Sequence, residues 1–154
     1  MTEHSFKLHV VVFLIFRRDN KVLFLKRQNT RHRDGQFGLP AGHKEVHESV
    51  RNAAVREAWE ELGITISEDS LNFVGVFDRF SIDRETLDFY FEISNWKGKI
   101  RNNEPGKCSE LKWFNISDLP NNVIDYVSDS LKFVEKSSDF CETYFEIGRN
   151  QPYA

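Results

Sequence analysis

A mixed α/β domain is the fold class this chain predicts, and three observations carry it. Short runs rich in β-branched and aromatic residues alternate with two stretches of helical apolar spacing, in the order strands, helix, strands, helix. The 154 residues, 40% hydrophobic, are enough to bury one core, so 1–154 reads as one domain. No repeat, linker or low-complexity stretch divides them.

Taken in order, residues 7–16 and 22–26 are the first two strands, and the charged turn Arg17, Arg18, Asp19, Asn20, Lys21 makes them a hairpin. Residues 28–36, with Asn29, Thr30, Asp34 and Gly35, form a surface loop of a length that often carries binding residues. Pro40 and Gly42 then interrupt regular structure. Across residues 49–62, Val50, Ala54, Ala58 and Leu62 fall on one helical stripe, and Gly63 supplies the stop. Residues 71–80, 87–93 and 111–114 are strands, and 115–122 are rich in turn and cap residues. A second helix over about 123–136 buries Val123, Val127, Leu131 and Val134. The tail 139–154 has Phe140, Tyr144 and Phe145 to pack onto the domain or onto a partner.

The bulk properties exclude several classes. A net charge of −3 gives no electrostatic footprint for a nucleic-acid polymer or an anionic membrane. Cys108 and Cys141 lack the spacing of a redox pair and the company of a zinc site, so they read as reduced thiols. The apolar run 8–16 is followed by Arg17, Arg18 and Asp19 with no cleavage site, and it is shorter than the roughly 20 residues a membrane helix needs. A cytoplasmic protein is the expectation.

The informative chemistry lies in residues 42–64. Glu57, Glu60 and Glu61 stand at i, i+3 and i+4 and share one face of the first helix. Like charges at this spacing cost a helix about 0.2–0.5 kcal/mol per pair, and the C-terminal half of a helix disfavours anions. A divalent cation would neutralise the cluster, because Mg²⁺ and Mn²⁺ take carboxylate oxygens. The competing reading of the triplet alone is a solvated acidic face. Arg56 is about 100° round the helix from Glu57 and does not face the triplet squarely, but it can reach back to Glu48 or Glu45. Gly42 implies a sharp turn that exposes backbone carbonyls.

Gly42, five residues, Glu48, seven residues, Arg56-Glu57, Ala58, any residue, Glu60-Glu61, any residue, Gly63-Ile64 resembles the signature of the Nudix hydrolases, in their small MutT-like form. Phe37-Gly38-Leu39-Pro40-Ala41-Gly42 is similar to the strand and turn that lead into that signature, and residues 103–114 with Leu119-Pro120 are similar to a later segment of small bacterial members. The resemblance implies a mixed sheet sandwiched between helices and hydrolysis of a nucleoside diphosphate linked to another moiety. It implies Mg²⁺ or Mn²⁺ held by Glu57, Glu60, Glu61 and the Ala41 carbonyl, with Glu48 assisting and Arg56 orienting the glutamates. A carboxylate outside the signature completes the site or acts as base, with Glu104 the first candidate and Glu110 the second; each also fits an exposed loop acid. Small members are often homodimers. Ala41 where many members have glycine, and His47 where glycine commonly precedes Glu48, are departures outside the strict signature.

The marker residues of several substrate groups are absent. Arg79 and Phe80 stand where the ADP-ribose group usually has proline, and Phe80, Ser81 and Ile82 where the dinucleoside polyphosphate group usually has tyrosine. Elimination leaves a nucleoside triphosphate, oxidised or otherwise modified forms included, cut to nucleoside monophosphate and pyrophosphate. Nucleotide sugars, ADP-ribose and dinucleoside polyphosphates are the alternatives. Phe37, Phe80 and Phe91 are candidates to stack on a base, and Arg27, Arg31 and Arg33 to meet phosphates. A non-catalytic nucleotide sensor would be expected to have lost the acids. An isoprenyl diphosphate isomerase would need a cysteine that Cys108 does not convincingly supply.

Overall fold

The computed structural model describes residues 7–80, 84–136 and 144–146, with Phe80 and residues 144–146 described as backbone. The first strand, β1 (Leu8–Arg18), buries six consecutive apolar residues from Val11 to Phe16. Such an unbroken run marks a strand covered on both faces. Val11, Phe13 and Ile15 enter one core, and Val12, Leu14 and Phe16 enter the other.

The hairpin partner β2 (Lys21–Arg27) pairs with β1 only at Arg17–Val22 and Arg18–Lys21. Beyond that the hairpin splays. Along its length β1 pairs in parallel with β6 (Glu85–Ile93), and at Val11, Val12 and Phe13 it meets the short antiparallel β4 (Ala41–His43). β3 (Phe37–Gly38) and β7 (Cys108–Asn115) pair with β2, and β5 (Asn72–Phe80) pairs with β6. The segment β8 (Tyr144–Glu146) adds a parallel edge to β5, so this part of the tail returns to the domain. The path β3-β2-β1-β6-β5-β8 is mixed in direction.

Helix α1 (Val50–Leu62) covers one face through Ala53, Ala54, Ala58 and Leu62. Its Ser49 cap accepts from the Asn52 amide at 3.0 Å, and Gly63 ends it in the left-handed region at φ 64°. Helix α2 (Asp125–Lys136) covers the other face through Val127 and Leu131. It starts two residues later than the apolar spacing predicts, because Val123 is held in an extended bridge to Phe37. Val123 is still buried, and Val134 is partly so. The expected sheet between two helices is therefore present, with strands longer than expected at β6 and β7. Residues 8–16 are a strand, and among the described residues no helix is long and apolar enough to cross a membrane.

Candidate active site

The acid helix leans on the edge of β4. Leu14 donates to Pro40 and Lys44 to Val10, which makes Phe13–Ala41 a non-bonded pair of the ladder. Ala41 therefore turns its N–H and its carbonyl away from β1, and its N–H donates to Glu61 Oε2 at 2.9 Å. The adjoining Gly42 is dictated by Glu57: a Cβ at position 42 would overlap the Glu57 carboxylate. Glu57 is 8% exposed, so an acidic side chain occupies a place in the apolar packing.

Arg56 is the hub. Its Nε and Nη2 donate to the two oxygens of Glu48 at 2.9 and 3.0 Å, the bidentate fork that guanidinium and carboxylate share. Nη1 donates to Glu57 at 2.6 Å and to Glu60 at 3.1 Å, and Nη2 also donates to the His43 carbonyl at 2.9 Å. The reach to Glu48 was expected. The contact with the triplet corrects the helical-wheel reading, because a long arginine stem spans the angle that separates 56 from 57 and 60. Glu45 is joined to Glu48 through its own amide rather than to Arg56.

These partners divide the carboxylates electrostatically. Arg56 holds Glu48 below the usual carboxylate range. Burial raises Glu57, partly offset by Arg56. Glu61 is raised well above that range by enclosure of its carboxylate and by the charge of Glu57, and the Ala41 amide offsets this only in part. At the end of α1 the charged forms of Glu57 and Glu61 are thus disfavoured. Among the described residues no three ligating side chains already stand in a coordination shell, because Arg56 draws Glu57 and Glu60 to itself while Glu61 faces Ala41.

A loop clamps this helix end. The Asn103 side chain donates to the carbonyls of Trp59 and Glu60 at 3.2 and 3.1 Å, its amide donates to the Glu61 carbonyl at 2.9 Å, and the Arg101 amide donates to Leu62. The four last-turn carbonyls are satisfied in this way. The next residue, Glu104, then lines the same cleft as Glu57, Glu60 and Glu61, and Lys107 holds its carboxylate at 2.9 Å. Glu110 is exposed on β7 and absent from the cleft.

The cleft has a volume of about 1200 Å³. Arg27, Arg31, Arg79 and Arg84 line it together with these acids. Arg27 donates to the His32 carbonyl at 2.9 Å, whereas Arg33 turns away to Asp125. Phe37 is corrected: it is 5% exposed and packs edge-to-face on Phe114 at 4.8 Å, so it belongs to the core. Phe91 is buried in the other core. The Phe80 side chain, like Cys141, lies outside the described residues, and Cys108 is a buried free thiol. His47 is exposed at φ 63°, the left-handed region in which glycine is at ease. Sequence reasoning missed Asn103, Arg79 and Asp88. Asparagine carries no helix-cap signal from forty residues away, and an arginine–aspartate pair across two strands is invisible until their register is known.

A mixed sheet thus lies between two helices, and an arginine-organised cluster of acids leans on a glycine turn, an arrangement whose acids suit a divalent cation. The NUDIX domain family model matches residues 6–136. An ADP-ribose pyrophosphatase of Methanocaldococcus jannaschii is 31% identical over 132 residues, 82% of this chain and 74% of that protein. An 8-oxo-dGTP diphosphatase of Escherichia coli is 28% identical, covering 74% of this chain and 88% of that protein. The crystal structure of a MutT NUDIX hydrolase from Burkholderia pseudomallei superposes with a TM-score of 0.75 at 26% identity, over 82% of this chain and 98% of that one. The chain belongs to the Nudix family and is a MutT-like Nudix hydrolase.

Proposed function

We propose that this enzyme hydrolyses nucleoside diphosphate derivatives, and among them a nucleoside triphosphate, oxidised forms included, to nucleoside monophosphate and pyrophosphate. The observation that carries the reading is the cleft that Glu57, Glu60, Glu61 and Glu104 line together with Arg27, Arg31 and Arg84. The acids suit a cation and the arginines suit phosphate oxygens. The E. coli relative named for 8-oxo-dGTP and the archaeal relative named for ADP-ribose both point to a diphosphate bond beside a nucleoside. Nothing in the reading calls for more than one domain, a nucleic-acid polymer or a membrane.

Glu57, Glu60, Glu61 and the Ala41 carbonyl would hold Mg²⁺ or Mn²⁺. The raised pKa of Glu57 and Glu61 fits that role, because enclosure of their carboxylates disfavours the charged forms that a bound cation would favour. When bound, the cation supplies phosphate neutralisation and an acidified water. With a cation bound, Glu57 and Glu60 would turn from Arg56 to it, while the fork of Arg56 on Glu48 would keep the helix registered to the 43–48 loop. Glu104 receives the proton of the attacking water once Lys107 releases its carboxylate, and Arg27, which lines the same cleft, meets phosphate oxygens. Water adds to phosphorus as the bridging oxygen departs with pyrophosphate.

Glu60→Gln or Glu61→Gln is expected to cut turnover by roughly 10²–10⁴-fold with folding intact, as read by circular dichroism and single-turnover kinetics. Wild-type rates in either variant contradict the assignment. A Mg²⁺-dependent screen of nucleotides, oxidised nucleotides, ADP-ribose, dinucleoside polyphosphates and nucleotide sugars then ranks substrates by kcat/KM.

A further inference from the structure

Beside the acid site, the sheet carries one charged pair that this reaction leaves unused. Arg79 on β5 and Asp88 on β6 are 9% and 1% exposed on the face that meets α2. Arg79 donates Nε to Asp88 at 2.6 Å and Nη2 at 3.4 Å, and the Tyr126 ring lies 4.2 Å from its Cζ. One edge and one face of the guanidinium are therefore fixed. Nη1 makes no hydrogen bond among the described residues, yet it is not shut away as a buried orphan. Arg79 lines the cleft together with Thr86 and Tyr126.

Stability alone gives little reason for this arrangement. A buried ion pair can often be exchanged for apolar residues without loss, and Phe77, Tyr90 and Phe13 surround it with apolar packing. Its position is informative. Ala41 lies opposite Phe13 on β1, and Asp88 lies two residues along, beside Val11 on the next strand, so Asp88 stands two strand spacings, roughly 10 Å, across the sheet from the edge that carries the acids, and Arg79 reaches it from the strand beyond. That is the reach from a phosphate held at the edge to the ring of the nucleoside attached to it.

The chemistry narrows the ligand. Asp88 already balances the guanidinium charge, so a phosphate placed here would also meet a buried carboxylate, whereas a neutral acceptor would not. Adenine has neutral acceptors in its ring nitrogens, but N1 and N7 each stand beside the N6 amino donor, which a guanidinium donor edge meets unfavourably, whereas the ring carbonyl oxygens of guanine, cytosine and uracil accept freely.

We propose that Arg79, held by Asp88 and Tyr126, is a specificity-determining residue that donates Nη1–H to the ring carbonyl of an oxo-substituted nucleobase. The enzyme accordingly favours guanine and pyrimidine nucleotides over adenine nucleotides. This inference rests on the diphosphate hydrolysis proposed above and deepens it.

The test measures kcat/KM for GTP, CTP, UTP and ATP in the wild type, in Arg79→Lys, and in the paired variant Arg79→Met with Asp88→Leu. The paired variant leaves no unpaired charge if Arg79→Lys fails to fold. Both are expected to lower kcat/KM for the best oxo-base substrate by roughly 10- to 100-fold, mainly through KM, and for ATP by less than about threefold. Calorimetric titration of the metal-free proteins with GMP, CMP, UMP and AMP reads the same preference without turnover. A wild type that favours adenine, an equal loss on all four bases, or unchanged discrimination in both variants overturns the inference. A wild type that cleaves no diphosphate overturns the hydrolysis reading instead, and the monophosphate titrations then decide the role of Arg79 independently.

Discussion

Gly42 and Glu57 form a contact in which neither side chain can change alone. The carboxylate of Glu57 lies where a Cβ would project from Gly42, and its oxygen is fixed by Arg56 Nη1 at 2.6 Å. Gly42→Ala therefore displaces a carboxylate assigned to the cation, and a displacement near 1 Å at a reacting centre costs roughly 10²-fold in rate. The expected outcome is that loss in kcat with a raised Mg²⁺ requirement, checked by titrating the cation at saturating substrate; unchanged metal dependence counts against the contact. The spacing of Glu57, Glu60 and Glu61 was legible at this scale because helical periodicity alone places them together. The burial of Phe37 was not, because 14 phenylalanines look alike until the packing is known. Arg56 was half legible: its loop partner follows from reach, whereas its grip on Glu57 and Glu60 depends on a side-chain conformation.

At the scale of elements, α1 and the loop before β7 work as one unit. Asn103 takes two carbonyls of the last turn with its side chain and a third with its amide, and it places Glu104 directly after the clamp. Asn103→Ala is expected to cost about 1 kcal/mol in urea unfolding and roughly tenfold in kcat. In a Glu104→Gln background the stability cost should persist while the kcat cost disappears, since the clamp then positions nothing that takes a proton. Additive losses in kcat would assign Asn103 to the helix end alone. Both helices were readable from apolar spacing, with Ser49 and Gly63 marking the ends of α1. The two-residue β3 and three-residue β4 are too short to show a period. The splayed hairpin was hidden because the sequence of β1 does not reveal that β4 and β6, rather than β2, flank most of it.

For the whole molecule, the layout of charge matters more than its sum. A net charge of −3 conceals a cleft lined by several acids and several arginines. Without a cation, that layout makes stability depend on pH. Glu57 and Glu61 have folded pKa values above the ordinary 4.5, so between that value and the raised one the folded state binds more protons than the unfolded state. Their contribution to stability therefore falls as pH rises through this window. Glu48 acts in the opposite sense, because its depressed pKa gives stability that is present at neutral pH and lost as pH falls below the ordinary value. In metal-free protein the share of stability that Glu57 and Glu61 control, read as the difference in melting temperature between wild type and Glu61→Gln, is expected to decline as pH rises above the ordinary carboxylate range. Mg²⁺ at 100 times its dissociation constant should restore about 2.7 kcal/mol, and Glu61→Gln should flatten this effect.

The most direct test of the central claim is a Mn²⁺ titration followed by electron paramagnetic resonance, with hydrolysis of a nucleoside triphosphate measured on the same samples of wild type, Glu57→Gln, Glu60→Gln and Glu61→Gln. Saturable binding in the wild type, turnover that tracks occupancy, and loss of both in the variants is the predicted result. Hydrolysis that persists in EDTA, or Mn²⁺ binding in all three variants as tight as in the wild type, would contradict the assignment of this helix face as the metal-binding centre.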